Sequence, residues 1–264
     1  MYHAKNLTLR LDDISIDYAR FGNGEKTLVM IPGLNLRGVK GAALPLAYMY
    51  RAFANDYTIY VFDRRTDVPD GFTVKDIADD TARAMKALGI EKATVFGVSQ
   101  GGMIAQYLAL DYPELVNKLV LAVTLSRTNE TVKAAIKSWI EFAEKGNLSG
   151  VVLDMMSKMY SDAYLKKYGF MIPLVAKFTK MTDPKRFISL AKACLTCDTY
   201  ERLGEIKCPV FVIGGSEDKI VTAEASREIA EKLGCELYMC EGYGHAAYEE
   251  VKDFNDRVLS FINK

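Results

Sequence analysis

Hydrophobic and polar positions divide the chain into three stretches with different rhythms. In the first, residues 7–21 alternate apolar and polar about Asp12 and Asp13, the period of two short half-buried strands. Gly22-Asn23-Gly24 then breaks the pattern. Residues 27–31, 57–62, 93–98 and 118–123 are continuous apolar runs. Unbroken hydrophobicity predicts strands covered on both faces, as in a parallel sheet. Between them, residues 42–53, 74–88 and 103–110 carry apolar positions at helical spacing, and Gly89 stops the second of these helices. Strand and helix thus alternate, which predicts an α/β fold with a doubly wound, mostly parallel sheet and a leading antiparallel hairpin.

The rhythm changes across residues 126–204, where no buried strand is legible and four helical segments are predicted: 131–145, 151–168, 170–181 and 184–203. The strand pattern resumes at 209–213 and 236–240, each followed by a helix, at 223–233 and 247–262. The expected organisation is one α/β core, residues 1–125 and 205–264, interrupted by an all-helical cap, residues 126–204.

Composition narrows the function classes. Among 264 residues, Lys+Arg and Asp+Glu are equal at 34 each, so the chain as a whole has no electrostatic bias toward nucleic acid or an anionic membrane. No apolar run approaches the roughly 18 residues of a membrane span, and the first residues lack the layout of a signal peptide. Five cysteines without framework spacing suggest reduced thiols and a cytoplasmic protein. Cys194 and Cys197 form a C-x-x-C with no second pair and no nearby histidine, which reads as helix packing rather than a zinc or redox site.

The candidate chemistry begins at Gly97-Val98-Ser99-Gln100-Gly101. A buried strand precedes this G-x-S-x-G and an apolar helix follows it. That is the context of a nucleophile elbow, in which small residues let the chain turn sharply and expose a serine hydroxyl. A serine needs a base within reach and a third group to orient that base. Only two histidines exist, His3 in the chain start and His245 in Gly244-His245-Ala246 after the last predicted strand. His245 is the candidate base.

On these motifs the chain resembles the α/β-hydrolase fold superfamily, closest to its esterase-like and enol-lactonase-like members through residues 97–103 and 108–116. The resemblance covers the chain outside the cap. It implies a serine hydrolase whose triad follows the order Ser, Asp or Glu, His. The acid then falls after strand 209–213, at Asp218, with Glu217 the competitor one residue away; otherwise both acids cap the helix that follows. The same resemblance implies an oxyanion hole from the backbone N–H of Gln100 and that of Leu34. Here Pro32-Gly33-Leu34 stands where relatives have His-Gly-x. Asp63-Arg64-Arg65-Thr66-Asp67 departs from the family's Gly-rich turn and reads as a solvated loop. A serine at the elbow argues against dehalogenase and epoxide-hydrolase chemistry, which uses an aspartate there.

The expected activity is hydrolysis of a small, partly apolar carboxylic ester or lactone through an acyl-enzyme. Carbon–carbon or thioester hydrolysis, and a ligand-binding protein that retains the fold, are the alternatives. No cofactor and no metal is expected. The expected partner is a small-molecule substrate, with neither nucleic acid nor membrane, and self-association as a homo-oligomer is left open.

Overall fold

The computed structural model describes residues 2–264, and the eight strands among them form a single sheet. These are β1 (Lys5–Arg10), β2 (Ser15–Phe21), β3 (Lys26–Ile31), β4 (Tyr57–Arg65), β5 (Ala93–Val98), β6 (Val116–Ala122), β7 (Val210–Gly215) and β8 (Glu236–Cys240), in the spatial order β1-β2-β4-β3-β5-β6-β7-β8. The β1–β2 and β2–β4 pairs are antiparallel, and every pairing from β4 through β3 to β8 is parallel.

Both faces of this sheet are buried, which explains the unbroken apolar runs. Along β3, Leu28 and Met30 enter one core while Val29 and Ile31 enter the other, because successive strand side chains point to opposite faces. Helices α1 (Ala43–Met49), α2 (Val74–Ala87) and α3 (Gln100–Asp111) follow β3, β4 and β5 in turn. Ala47 of α1 packs on the Leu28 face; Ile77 of α2 and Met103 of α3 pack on the Val29 face. The sheet is therefore doubly wound. Thr73 starts α2 with a capping box, its side chain accepting from the Asp76 N–H while Asp76 accepts from the Thr73 N–H.

Between β6 and β7 lie α4 (Glu130–Glu144), α5 (Leu148–Met159), α6 (Asp162–Tyr168), α7 (Ile172–Phe178) and α8 (Pro184–Cys194). After β7 come α9 (Ala223–Leu233), α10 (Ala247–Glu250) and α11 (Phe254–Asn263). Two predicted helices are each two, and a third, 184–203, ends as α8 at Cys194, with a separate short helical turn over Tyr200–Glu205. The stretch 151–168 breaks at Ser161, whose hydroxyl accepts from the Tyr164 N–H and restarts the chain as α6. The last helix breaks between α10 and α11, after Val251 takes an extended conformation. Among the described residues no helix is long and apolar enough to cross a membrane.

The reading of residues 63–67 as a solvated loop needs correction. β4 continues to Arg65 because Ile16 of β2 still pairs with it, and Asp63 and Arg64 are buried, Arg64 to 3% exposure. The Asp63 carboxylate accepts from the N–H groups of Val39 and Arg64 and from the Arg186 guanidinium. Two adjacent charged residues gave no hydrophobic signal, yet each is enclosed by partners supplied from distant segments.

Candidate active site

Strand β5 ends at Val98, and α3 begins two residues later. Ser99 between them holds φ +54° and ψ −119°, a conformation that L-residues rarely adopt and that costs of order 1–3 kcal/mol. Its surroundings enforce that geometry. The Ser99 N–H donates to Ala122 O at 2.8 Å, and its carbonyl accepts from the Thr124 hydroxyl at 2.7 Å. The glycines are required by contact: a Cβ on Gly101 would sit 1.8 Å from Ile31 O, and one on Gly97 would sit 2.3 Å from Gly101 O. Small residues at these two places let the helix start directly against β3.

The loop between β8 and α10 delivers His245, which is 4% exposed. Its Nε2 lies 2.9 Å from Ser99 Oγ and its Nδ1 2.7 Å from Asp218 Oδ2. The other carboxylate oxygen of Asp218 accepts from the N–H groups of Ile220 and Val221 at 2.8 and 2.9 Å. A carboxylate is acceptor-only, so Nδ1 must carry the proton; Nε2 is then the lone-pair acceptor for the serine hydroxyl. The structure thus brings Ser99, His245 and Asp218 into one hydrogen-bonded chain. Glu217, by contrast, is exposed. Asp218 caps its own loop rather than α9, whose N-cap Thr222 makes no side-chain cap bond.

Gln100 is the first residue of α3, so its N–H has no intrahelical acceptor and stands beside Ser99. Across the cleft, Gly33 lies directly on the serine: a Cβ built there would be 3.3 Å from Ser99 Cβ. Leu34 shares a cavity wall with Ser99 and His245. The loop is held from behind. Arg64 donates through Nη2 to Pro32 O, and Asn35 donates through Nδ2 to Gly33 O at 3.4 Å. Arg64 Nε and Nη1 are buried without a partner, and burial pushes this guanidinium down to about 10.

The cavity over Ser99 holds about 30 Å³, room for one or two waters. Its walls beyond the chemistry are apolar: Val132, Ile136 and Trp139 from α4, and Met155 and Met159 from α5. Trp139 is fixed by donating its indole N–H to Asp154 at 2.8 Å. Cys194 of α8 also lines the cavity, and its thiol is pushed up to about 12 by burial. The Gln100 side chain donates to Leu190 O at 2.6 Å and reaches Cys194 Sγ at 3.0 Å, so the elbow is tied to α8. Sequence reasoning did not single out Trp139, Met155, Met159 or Tyr248 as cavity residues. No sequence signal set Tyr248 apart, since it lies in α10 while His245 is in the loop before that helix.

Comparison with known proteins agrees with this architecture. The family model described as alpha/beta hydrolase fold matches residues 26–146. The chain is 22% identical over its full length to 3-oxoadipate enol-lactonase 2 of Acinetobacter baylyi, covering 98% of that protein. Among solved structures, an alpha/beta hydrolase enzyme from a Medee basin deep-sea metagenome library superposes with a TM-score of 0.86 at 22% identity, over 98% of each chain. The enol-lactonase of Burkholderia xenovorans gives 0.84 at 18% identity, over 98% of this chain and 100% of that one. Strand order and structural likeness together show that the chain has the α/β-hydrolase fold.

Proposed function

We propose that the chain is a serine hydrolase that cleaves a small, partly apolar carboxylic ester or lactone through an acyl-enzyme. The observation that carries this reading is the Ser99–His245–Asp218 hydrogen-bond chain at the floor of an apolar cavity. His245 takes the proton of Ser99 as its oxygen attacks the substrate carbonyl. Asp218 holds the imidazole with Nδ1–H facing it and stabilises the imidazolium that forms. The N–H groups of Gln100 and Leu34 receive the oxyanion of the tetrahedral intermediate. His245 then returns the proton to the leaving alkoxide, and a second cycle with water in place of the serine frees the acid. The likeness to an enol-lactonase supports a cyclic ester as one substrate type.

Substrate size follows from the cavity. A space of about 30 Å³ admits an acyl group only as the surrounding side chains move, and each further carbon demands more opening. Short acyl groups, roughly two to six carbons, are therefore expected to give the highest kcat/KM, since each added buried methylene contributes only about 0.8 kcal/mol before it meets a wall. The test is a fluorophosphonate probe with peptide mapping, beside a chain-length series of p-nitrophenyl esters and a panel of lactones and thioesters. The expected result is one adduct, on Ser99, absent in Ser99→Ala, with a burst of nitrophenol followed by steady turnover on short esters. An adduct elsewhere, or a single turnover with retained product, would overturn the proposal.

A further inference from the structure

Helix α7 is apolar on two opposite faces, and only one of them is covered. Ile172 and Ala176, four residues apart, are buried, and this side packs toward α5. Met171, Leu174, Val175 and Phe178 follow the i, i+3, i+4, i+7 spacing of a single helical stripe, and all four are exposed. Tyr168 and Phe170 extend the stripe at its start, Phe170 at 80% exposure and Phe178 at 67%. Ten large hydrophobic residues are exposed among the described residues, and six of them fall within residues 168–178. A surface helix with no further partner would place polar residues on this face, and apolar patches of this kind mark interaction sites.

The charge around the patch indicates what covers it. Residues 163–182 contain Lys166, Lys167, Lys177 and Lys180 and no acid, although the chain as a whole is balanced at 34 and 34. The ammonium groups of Lys167 and Lys177 lie 4.9 and 6.0 Å from the ring centres of Tyr168 and Phe178, so charge and apolar bulk sit side by side. Lys158 and Lys219, just outside the stretch, pair with Asp154 and Asp162. The four lysines inside it have no carboxylate partner among the described residues. A two-fold dimer through this face would set these lysines against their own copies, with no acid in the stretch to answer them. The aromatic and aliphatic side chains are exposed, Phe170 and Phe178 by two-thirds or more, which suits insertion into a headgroup layer flanked by basic residues.

We infer that the α7 face of the cap docks peripherally on an anionic lipid surface, with Phe170, Leu174 and Phe178 inserted among the headgroups and the four lysines against them. The balanced total charge, which argued against a membrane partner, averages away this local excess. A lysine near such a surface strengthens binding about fivefold, so the lysines and the apolar stripe reinforce one another, and salt weakens the lysine share.

The experiment is flotation of the full chain with vesicles of phosphatidylcholine alone and with roughly one-third phosphatidylglycerol, an anionic content on the scale that makes polybasic docking measurable. Binding to the anionic vesicles is expected to be at least about tenfold tighter than to neutral ones and to fall as salt is raised. Phe170→Ser with Phe178→Ser, and separately Gln at all four lysines, should each weaken it by about tenfold or more. Both variants should keep wild-type turnover of a short water-soluble ester and wild-type phosphonate labelling, since none of these residues touches Ser99 or His245. Vesicle binding is read without catalysis, so it stands or falls apart from the hydrolase proposal. No anionic binding at low salt, binding indifferent to both variants, or a dimer in sedimentation that the Phe variants dissolve would each overturn the inference.

Discussion

Replacing Asp218 by Asn isolates the orienting role of the acid from its structural one. Oδ1 of Asp218 accepts two backbone N–H groups, from Ile220 and Val221, while Oδ2 faces His245 Nδ1 at 2.7 Å. An asparagine has one carbonyl oxygen and one NH₂ group. Keeping the oxygen toward the two N–H donors preserves the loop, so the NH₂ group must face His245. A donor there demands an acceptor at Nδ1. The imidazole proton moves to Nε2, which now points a hydrogen at Ser99 Oγ instead of a lone pair. The nucleophile loses its base and the imidazolium loses its counter-charge. In the serine-protease case this tautomer error lowers kcat about 10⁴-fold, about 5.5 kcal/mol of barrier, and the same loss is expected here. Stability should fall by only about 1–3 kcal/mol, the cost of one hydrogen bond involving a charged group. Asp218→Ala would confound the test by stranding both backbone donors. The assay is kcat on a short p-nitrophenyl ester, with urea unfolding as the control and Glu217→Gln as the comparison. Glu217 is exposed, so its variant should lose less than about tenfold. Activity of Asp218→Asn within tenfold of wild type, or an equal loss in Glu217→Gln, would refute the argument.

Two further outcomes follow from contacts and burial. Gly101→Ala forces a Cβ to 1.8 Å from Ile31 O and should cost about 3 kcal/mol or more. Gly146→Ala, at φ +67° with open space around it, should cost about 1–2 kcal/mol; urea unfolding that ranked the two equally would dismiss close packing as the reason for Gly101. Burial pushes the thiol of Cys194 up to about 12 and those of Cys208 and Cys235 up to about 11, so all three stay protonated at pH 8 and thiolate appears only as pH approaches those values. Iodoacetamide at pH 8 should therefore label the native chain slowly, half-buried Cys208 and Cys235 ahead of Cys194, and label all five cysteines in denaturant; fast native alkylation of Cys194 would contradict its enclosure over the active site.

What was legible in the sequence was local chemistry imposed by sterics and by sheet burial. The elbow could be read because only small residues at 97 and 101 permit the approach of α3 to β3, and that constraint is written at fixed offsets from Ser99. The unbroken apolar runs became β3 to β7 because both sheet faces are covered. Asp63 and Arg64 were misread because their burial depends on Arg186, Val39 and Pro32, residues remote in sequence. Nothing in the neighbourhood of Arg64 announces such partners. The stretch 170–181 was read as an ordinary helical segment, since apolar residues on both faces of a helix normally mean enclosure. Its outward stripe is visible only when the neighbours of α7 are known. Composition failed at the same place for the same reason: a balanced total charge says nothing about twenty residues that contain four lysines and no acid.

The two sides of the cavity are not equally free to admit a substrate. On one side, the loop that carries Gly33 and Leu34 and the second half of the cap form one hydrogen-bonded unit. Arg37 donates to the carbonyls of Phe178 and Lys180, Thr182 N–H donates to Leu36 O, and Arg186 donates to the carbonyls of Arg64 and Arg65. Moving α8 would pull on the loop of Gly33 and Leu34 and break the hydrogen bonds of the part-buried Arg186 guanidinium, at about 1–3 kcal/mol for each one lost. On the other side, α4 and α5 line the cavity with the apolar side chains of Val132, Ile136, Met155 and Met159. Both helices are tied as well, since the Ala246 N–H donates to Met159 O and Asn129 Nδ2 donates to Val221 O, each at 2.8 Å, but the lining side chains themselves are held by dispersion. Methionine has three rotatable side-chain bonds and repacks at low cost. Enlargement of a 30 Å³ space therefore falls to the side chains of Met155 and Met159, on the side that leaves the proposed oxyanion donors where they are. A rigid wall at the reacting carbonyl and a yielding wall at the acyl chain is the division a site needs if it is to hold one geometry for chemistry while accepting several short acyl groups.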